Sequence, residues 1–309
     1  MNRAFVFPGQ GSQTIGMGRA LAEAYPAARA VFDAVDEALG EKLSALIWEG
    51  DIEDLTLTQN AQPAIMATSM AALAALEAEG LGMAHVAFVA GHSLGEYSAL
   101  CAAGALDLAD TARLLRIRGL AMQAAVPVGV GAMAAVLGLD YDAVVALAAE
   151  AAEGDVCELA NDNDPGQVVI SGHKAAVERA CAIAKARGAK RALMLPVSAP
   201  FHCALMEPAA AAMAEALAAV VIRTPSVPVV VNVRAEAVQE AERMRALLVA
   251  QVTGEVRWRD SVAWLRRAGV TEFWEVGAGK ALSGMIKRIE RDTVQRNVAA
   301  PEDIVALKG

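Results

Sequence analysis

An apolar run at residues 85–90 passes without a break into Gly91-His92-Ser93-Leu94-Gly95, and a helical pattern follows at once. No other feature restricts the fold as much. A G-x-S-x-G turn between a strand and a helix lifts the serine hydroxyl out of the carboxyl end of a buried strand. Glycines two residues to either side let the backbone pass that tightly. The serine also stands at a helix N-terminus, where free N–H groups and the helix dipole favour a developing oxyanion. The plain alternative is a strand-to-helix turn that carries a serine by coincidence.

The rest of the chain fits the frame that such a turn demands. Strand patterns at residues 3–7, 85–90, 227–233 and 272–276 alternate with helical patterns at 17–25, 27–39, 63–79, 108–125, 207–221, 236–252, 261–268 and 280–291. Alternation on this scale favours a mainly parallel sheet covered on both faces. Between residues 128 and 197 the order becomes strand 131–139, helix 141–153, strands 156–160 and 167–171, helix 174–187 and strand 192–197. That β-α-β-β-α-β order is the ferredoxin-like pattern. Pro127-Val128-Gly129 and Val197-Ser198-Ala199-Pro200 are the expected hinges. The expected architecture is an α/β-hydrolase-like core, residues 1–127 and 198–309, with an inserted ferredoxin-like subdomain, residues 128–197.

Composition excludes several functions. Charged residues are 20% of the 309, against about 25% in an average globular chain, and hydrophobic residues are 56%, so disorder is excluded. A formal net charge of −9 and 4% aromatic residues argue against a nucleic-acid binder. Cys101, Cys157, Cys181 and Cys203 have neither disulfide-framework nor zinc spacing, which fits a reducing compartment. The apolar stretch 206–222 is interrupted by Glu207, Pro208 and Glu215, and the run after Arg3 is too short for a signal peptide. A cytoplasmic protein with no membrane partner is expected.

A serine nucleophile needs a base. His85 is expected to begin the strand before the turn, and His92 to point away from Ser93. His173 falls in a strand-to-helix turn of the small unit. His202, in the irregular segment after residues 128–197, is the best placed of the four, because loops that rejoin a sheet often carry catalytic residues. No acid between Ser93 and His202 stands out as a third member, so a dyad oriented by a backbone or amide oxygen is the simpler arrangement. On the helix at 108–125, Arg118 projects into the middle of the stripe formed by Leu114, Leu115, Ala121, Met122 and Ala125, whereas Arg113 and Arg116 project to the opposite side. A guanidinium so placed stays charged and demands a partner. The partner is either an internal carboxylate or the carboxylate of a substrate. The loop Pro8-Gly9-Gln10-Gly11-Ser12-Gln13 leaves the first strand at the carboxyl edge, where open α/β sheets bind ligands. One of its N–H groups could complete an oxyanion hole with the amide after Ser93.

Taken together, Phe5-Val6-Phe7-Pro8-Gly9-Gln10-Gly11-Ser12-Gln13, Thr58-Gln59-Asn60-Ala61-Gln62-Pro63, Gly91-His92-Ser93-Leu94-Gly95-Glu96-Tyr97, Arg118-Gly119, Gly131-Ala132-Met133, the run from Pro165 to Gly172, Pro200-Phe201-His202 and Glu275-Val276-Gly277 resemble the malonyl-CoA:acyl carrier protein transacylases of fatty acid synthesis. The resemblance implies that Ser93 is the acylated nucleophile and His202 its base, with the backbone amides of Gln10 and Leu94 as oxyanion hole. It implies that Arg118 binds the malonyl carboxylate and that the main-chain carbonyl of Gln251 orients His202. Asn161 and Asn163 would line the site, with Asp162 and Asp164 interleaved, and Phe201 would accompany a malonyl rather than a branched unit. The substrates implied are malonyl-CoA and acyl carrier protein, with no cofactor, no metal and a monomeric enzyme. An acidic carrier would need a local basic patch on this acidic chain, and Lys185, Arg187, Lys190 and Arg191 or Lys287 and Arg288 are the clusters to consider. An esterase or thioesterase, and a non-catalytic carrier-docking module, are the rival readings.

Overall fold

The computed structural model describes residues 2–197 and 199–308, so Met1, Gly309 and the hinge residue Ser198 lie outside the described residues. Ten strands fall into two sheets: β1 Arg3–Phe7, β2 Phe88–Gly91, β3 Gly131–Leu137, β4 Cys157–Asp164, β5 Gln167–His173, β6 Arg191–Met194, β7 Val229–Val231, β8 Glu236–Val238, β9 Glu272–Val276 and β10 Val294–Val298. The larger sheet has the order β10-β9-β1-β2-β7-β8. Every pair in it is parallel except the β7–β8 edge.

Its inner strands β9, β1, β2 and β7 are buried on both faces, as apolar parallel strands must be. Phe5, Phe7, Val89, Val231 and Trp274 pack into one core with the helices Pro26–Leu39, Thr58–Ala78 and Leu108–Ala124. Ala4, Val6, Ala90, Val230 and Phe273 pack into another with Trp258, Val262, Leu265, Leu282 and Ile286. Among the described residues no helix is long and apolar enough to cross a membrane.

The second sheet is antiparallel, with the order β4-β5-β3-β6. The helices Tyr141–Ala152 and Lys174–Ala186 cover it and share a separate apolar core. It is tied to the larger unit through residue 256. The Asp162 N–H donates to Val256 O at 3.0 Å, and the Val256 N–H donates to Ala160 O at 2.8 Å.

The structure corrects the sequence reading in several places. The helix expected over 236–252 is β8 followed by a helix at Ala241–Thr253. Glu236 and Ala237 favour helix, but pairing with β7 overrides propensity. The connecting turn gives no glycine signal, because Ala235 itself takes a φ of 51°. His85 ends a short 3₁₀ turn, Met83–His85, and the strand starts only at Phe88. The helix read as starting at Pro63 begins at Thr58, with Pro63 inside it. Two short helices, Leu43–Glu49 and Ile52–Thr56, the edge strand β10 and the helix Pro301–Lys308 were not anticipated. β10 lacks an apolar run because only Val298 at its end is fully buried.

Candidate active site

Three parallel strands deliver the site from their carboxyl ends: β1 into Pro8-Gly9-Gln10, β2 into the turn at 91–95, and β7 into Asn232. The turn is as tight as the glycine spacing demands. A Cβ on Gly91 would lie 1.9 Å from Gly95 O, and one on Gly95 would lie 2.2 Å from Phe7 O. Ser93 sits at its apex with a φ of 52°, and His202 has a φ of 59°. Left-handed backbone costs a non-glycine residue about 1–2 kcal/mol. Such strain persists only where the surroundings enforce it, and it clusters at functional sites.

The two strained residues meet. Ser93 Oγ lies 2.8 Å from His202 Nε2. The other ring nitrogen, Nδ1, lies 2.9 Å from Gln251 O and 3.1 Å from Gly254 O. Two carbonyls can only accept, so Nδ1 carries the hydrogen and Nε2 presents its lone pair to the serine hydroxyl. His202 is 3% exposed. Burial, reinforced by the Arg118 charge, pushes its pKa down to about 3, so the ring is neutral at physiological pH and able to accept a proton.

Arg118 is 1% exposed, in the apolar setting read from its helix. Among the described residues no carboxylate forms an ion pair with it. Nη1 donates to Gln62 Oε1 at 2.8 Å, and Nη2 donates to Ser93 Oγ and to Gln251 Oε1, both at 3.0 Å. The guanidinium faces the Tyr97 ring at 5.6 Å. Burial lowers its pKa, but an arginine remains charged. The site therefore holds a buried cation on neutral acceptors, beside the serine oxygen.

A cavity of about 320 Å³ opens over these groups, and Gln10, Leu94, Asn161 and Phe201 line it with them. The backbone N–H groups of Gln10 and Leu94 donate to no described residue, whereas the Ser93 N–H is taken by Asn232 Oδ1 at 2.8 Å. The remaining wall is largely apolar, from Met122, Met133, Leu195 and Val197. All eight site residues read from the sequence thus come together here, Gln251 through its carbonyl and its side chain.

The chain's relatives have the same architecture. The acyl transferase domain family matches residues 4–300. The malonyl CoA-acyl carrier protein transacylase of Bacillus subtilis (strain 168) is 49% identical over 302 residues, 97% of this chain and 94% of the relative. The chain belongs to the malonyl-CoA:acyl carrier protein transacylase family. The crystal structure of an acyl-carrier-protein-S-malonyltransferase from Bartonella henselae superposes with a TM-score of 0.97 at 55% identity, covering 99% of this chain and 98% of that one. A malonyl-transacylase solved in complex with a holo type II polyketide synthase acyl-carrier protein superposes at 0.96 and 43% identity, covering 99% of this chain and 98% of that one. The protein is an acyltransferase.

Several residues of the acyltransferase's site escaped sequence reasoning. Asn232 is fully buried and bridges the turn, its Oδ1 accepting from the Ser93 N–H and its Nδ2 donating to Gly91 O at 2.7 Å. The only signal was an asparagine directly after an all-valine strand. Gln62 belongs to a polar cluster, Gln59-Asn60-Ala61-Gln62, near the start of a largely buried helix. His92 does point away from Ser93, and its Nε2 lies 2.8 Å from Asn163 Oδ1. The interleaved acids are explained by alternation along β4. Asn161 and Asn163 serve the site, while Asp162 pairs with Arg259 at 2.9 Å and Asp164 with Arg288 at 2.8 Å. Of the basic clusters considered for docking, Arg288 is thus held by Asp164, and Arg187 is paired with Glu150.

Proposed function

We propose that this acyltransferase moves a malonyl group from malonyl-CoA to the phosphopantetheine thiol of acyl carrier protein by a ping-pong route through a malonyl ester of Ser93, supplying extender units for fatty acid synthesis. One observation carries the reading: the serine hydroxyl lies between a neutral histidine and a buried arginine that, among the described residues, no carboxylate contacts directly.

In the first half-reaction Ser93 Oγ attacks the thioester carbonyl while its proton passes to His202 Nε2. The oxyanion is received by the N–H groups of Gln10 and Leu94. The C–S bond breaks, and His202 returns the proton to the leaving thiolate. In the second half the carrier thiol repeats the sequence in reverse, with His202 first as base and then as acid. The carbonyl of Gln251 holds the ring in its working tautomer, the role that an aspartate takes in a triad. Arg118 turns Nη2 from the serine oxygen to the malonyl carboxylate, a charge-assisted bond in a dry site. Asn161 and Phe201 line the cavity, and the Phe201 ring would crowd an α-branched acyl group. Exchange of thioester for ester for thioester calls for no metal or prosthetic group.

The two-sheet organisation supports a ferredoxin-like insert, 128–197, in an α/β-hydrolase-like core, 1–127 and 198–309. The site then lies between the two, open to a long pantetheine arm. Four free cysteines fit a cytoplasmic enzyme and a net charge of −9 fits one without nucleic-acid partners, and the family resemblance implies a monomer.

The test is the fate of the acyl group. Incubated with malonyl-CoA and holo acyl carrier protein, the enzyme should convert the carrier to its malonyl thioester with little free malonate. Rapid release of malonate, with the carrier unmodified, would make it a thioesterase instead.

A further inference from the structure

The carboxylate of Glu96 lies behind the site, 1% exposed, and takes no part in the chemistry described above. Its Oε2 accepts the Asn232 backbone N–H at 2.8 Å and Gln251 Nε2 at 3.0 Å. Those two partners between them hold the acyl-transfer machinery. Asn232 fixes the Ser93 N–H and, through Nδ2, the Gly91 carbonyl at the base of the turn. Gln251 holds Arg118 with Oε1, donates from Nε2 to the Ser93 carbonyl at 3.0 Å, and offers its own carbonyl to His202.

We propose that Glu96 is a positioning residue, whose ionised carboxylate locks Gln251 and Asn232 and so sets the geometry of Ser93, His202 and Arg118 together. The inference rests on the acyl-transfer reading of the site. A carboxylate only accepts, which forces Gln251 to turn its amide nitrogen inward and its amide oxygen toward Arg118, as the guanidinium requires. Bonds to an ionised acceptor are about twice as strong as neutral ones. The negative charge also balances the buried Arg118 cation, whose field opposes protonation of His202. A neutral side chain in its place keeps a hydrogen-bond acceptor but loses the balance and weakens both bonds.

Titration offers a signature that a purely structural role would not give. The charged and titratable groups that interact with Glu96 are Arg118 from the helix Leu108–Ala124 and Tyr97 beside it on its own helix, and the site that its partners hold contains His92 and His202. Arg118 stays charged and burial pushes Tyr97 upward. Burial pushes both histidines downward, His202 to about 3. Burial raises Glu96 to about 7 against the opposing hydrogen bonds and the Arg118 charge. Glu96 is therefore the group in this set that changes charge near neutrality. The ionised form is the positioning form, so acylation should rise as pH rises through that point.

The experiment measures the rate constant for Ser93 acylation at saturating malonyl-CoA, by rapid quench, between pH 5 and pH 9 for the wild type and for Glu96→Gln. The wild type should show an acid limb with its midpoint between pH 6 and 8. Glu96→Gln should lose the limb and acylate roughly tenfold or more slowly at pH 8, while it still melts in one cooperative transition. Survival of the limb in Glu96→Gln, or acylation at the wild-type rate, would overturn the proposal. Should Glu96→Gln fail to fold, the wild-type profile decides: a flat profile from pH 6 to 8 overturns it. Absence of any acyl-enzyme in the wild type would instead strike the acyl-transfer reading itself.

Discussion

Replacing His202 with alanine should slow acylation of Ser93 by about 10²–10⁴-fold, the range that a positioned general base supplies. The loss should fall on the chemical step, because His202 touches the serine oxygen and two backbone carbonyls but no group that would hold CoA. Rapid-quench measurement of CoA release at saturating malonyl-CoA separates that step from binding. A rate within a few-fold of wild type would place the base elsewhere. Cys203, the next candidate for the acylated residue should Ser93 not be it, is a poor nucleophile: it is fully buried, its thiol donates to Pro200 O at 3.2 Å, and burial pushes its pKa up to about 11.

Arg118→Ala should separate substrates rather than abolish activity evenly. Removing one member of a buried, hydrogen-bonded charge pair costs about 3–5 kcal/mol, roughly a hundredfold or more in kcat/KM. That cost applies to malonyl-CoA, which supplies the second charge, and not to acetyl-CoA, which has none. Acetyl transfer should change far less, and can rise, since a neutral acyl group no longer packs against an unpaired cation. The comparison of kcat/KM for the two thioesters on one variant checks this. Equal losses would make Arg118 a structural support of Ser93 and Gln251, whose side chains it also contacts.

The parts of this site that were legible in the sequence are those in which local chemistry and chain direction coincide. The strand–turn–helix at Ser93 is local, and Arg118 announced itself by standing in an apolar stripe. His202 was legible as a loop residue, but its contact with Ser93 spans 109 positions, and only the fold creates it. Asn232, Gln62 and Glu96 were not legible. Their importance is a matter of hydrogen bonds between segments far apart in sequence, up to 155 positions for Glu96 with Gln251. The same limit applies to the fold. Buried parallel strands reveal themselves as apolar runs, whereas β8 and β10 are edge strands whose pairing, not their composition, makes them strands.

The central claim is that Ser93 carries the malonyl group, and intact mass tests it most directly. After brief exposure to malonyl-CoA without carrier protein, the wild type should gain the mass of one malonyl group. The adduct should map to the peptide that contains Ser93 and disappear on adding holo acyl carrier protein, and Ser93→Ala should gain nothing. A malonyl adduct of equal yield on Ser93→Ala, or a wild type that turns over without ever becoming acylated, would contradict the account.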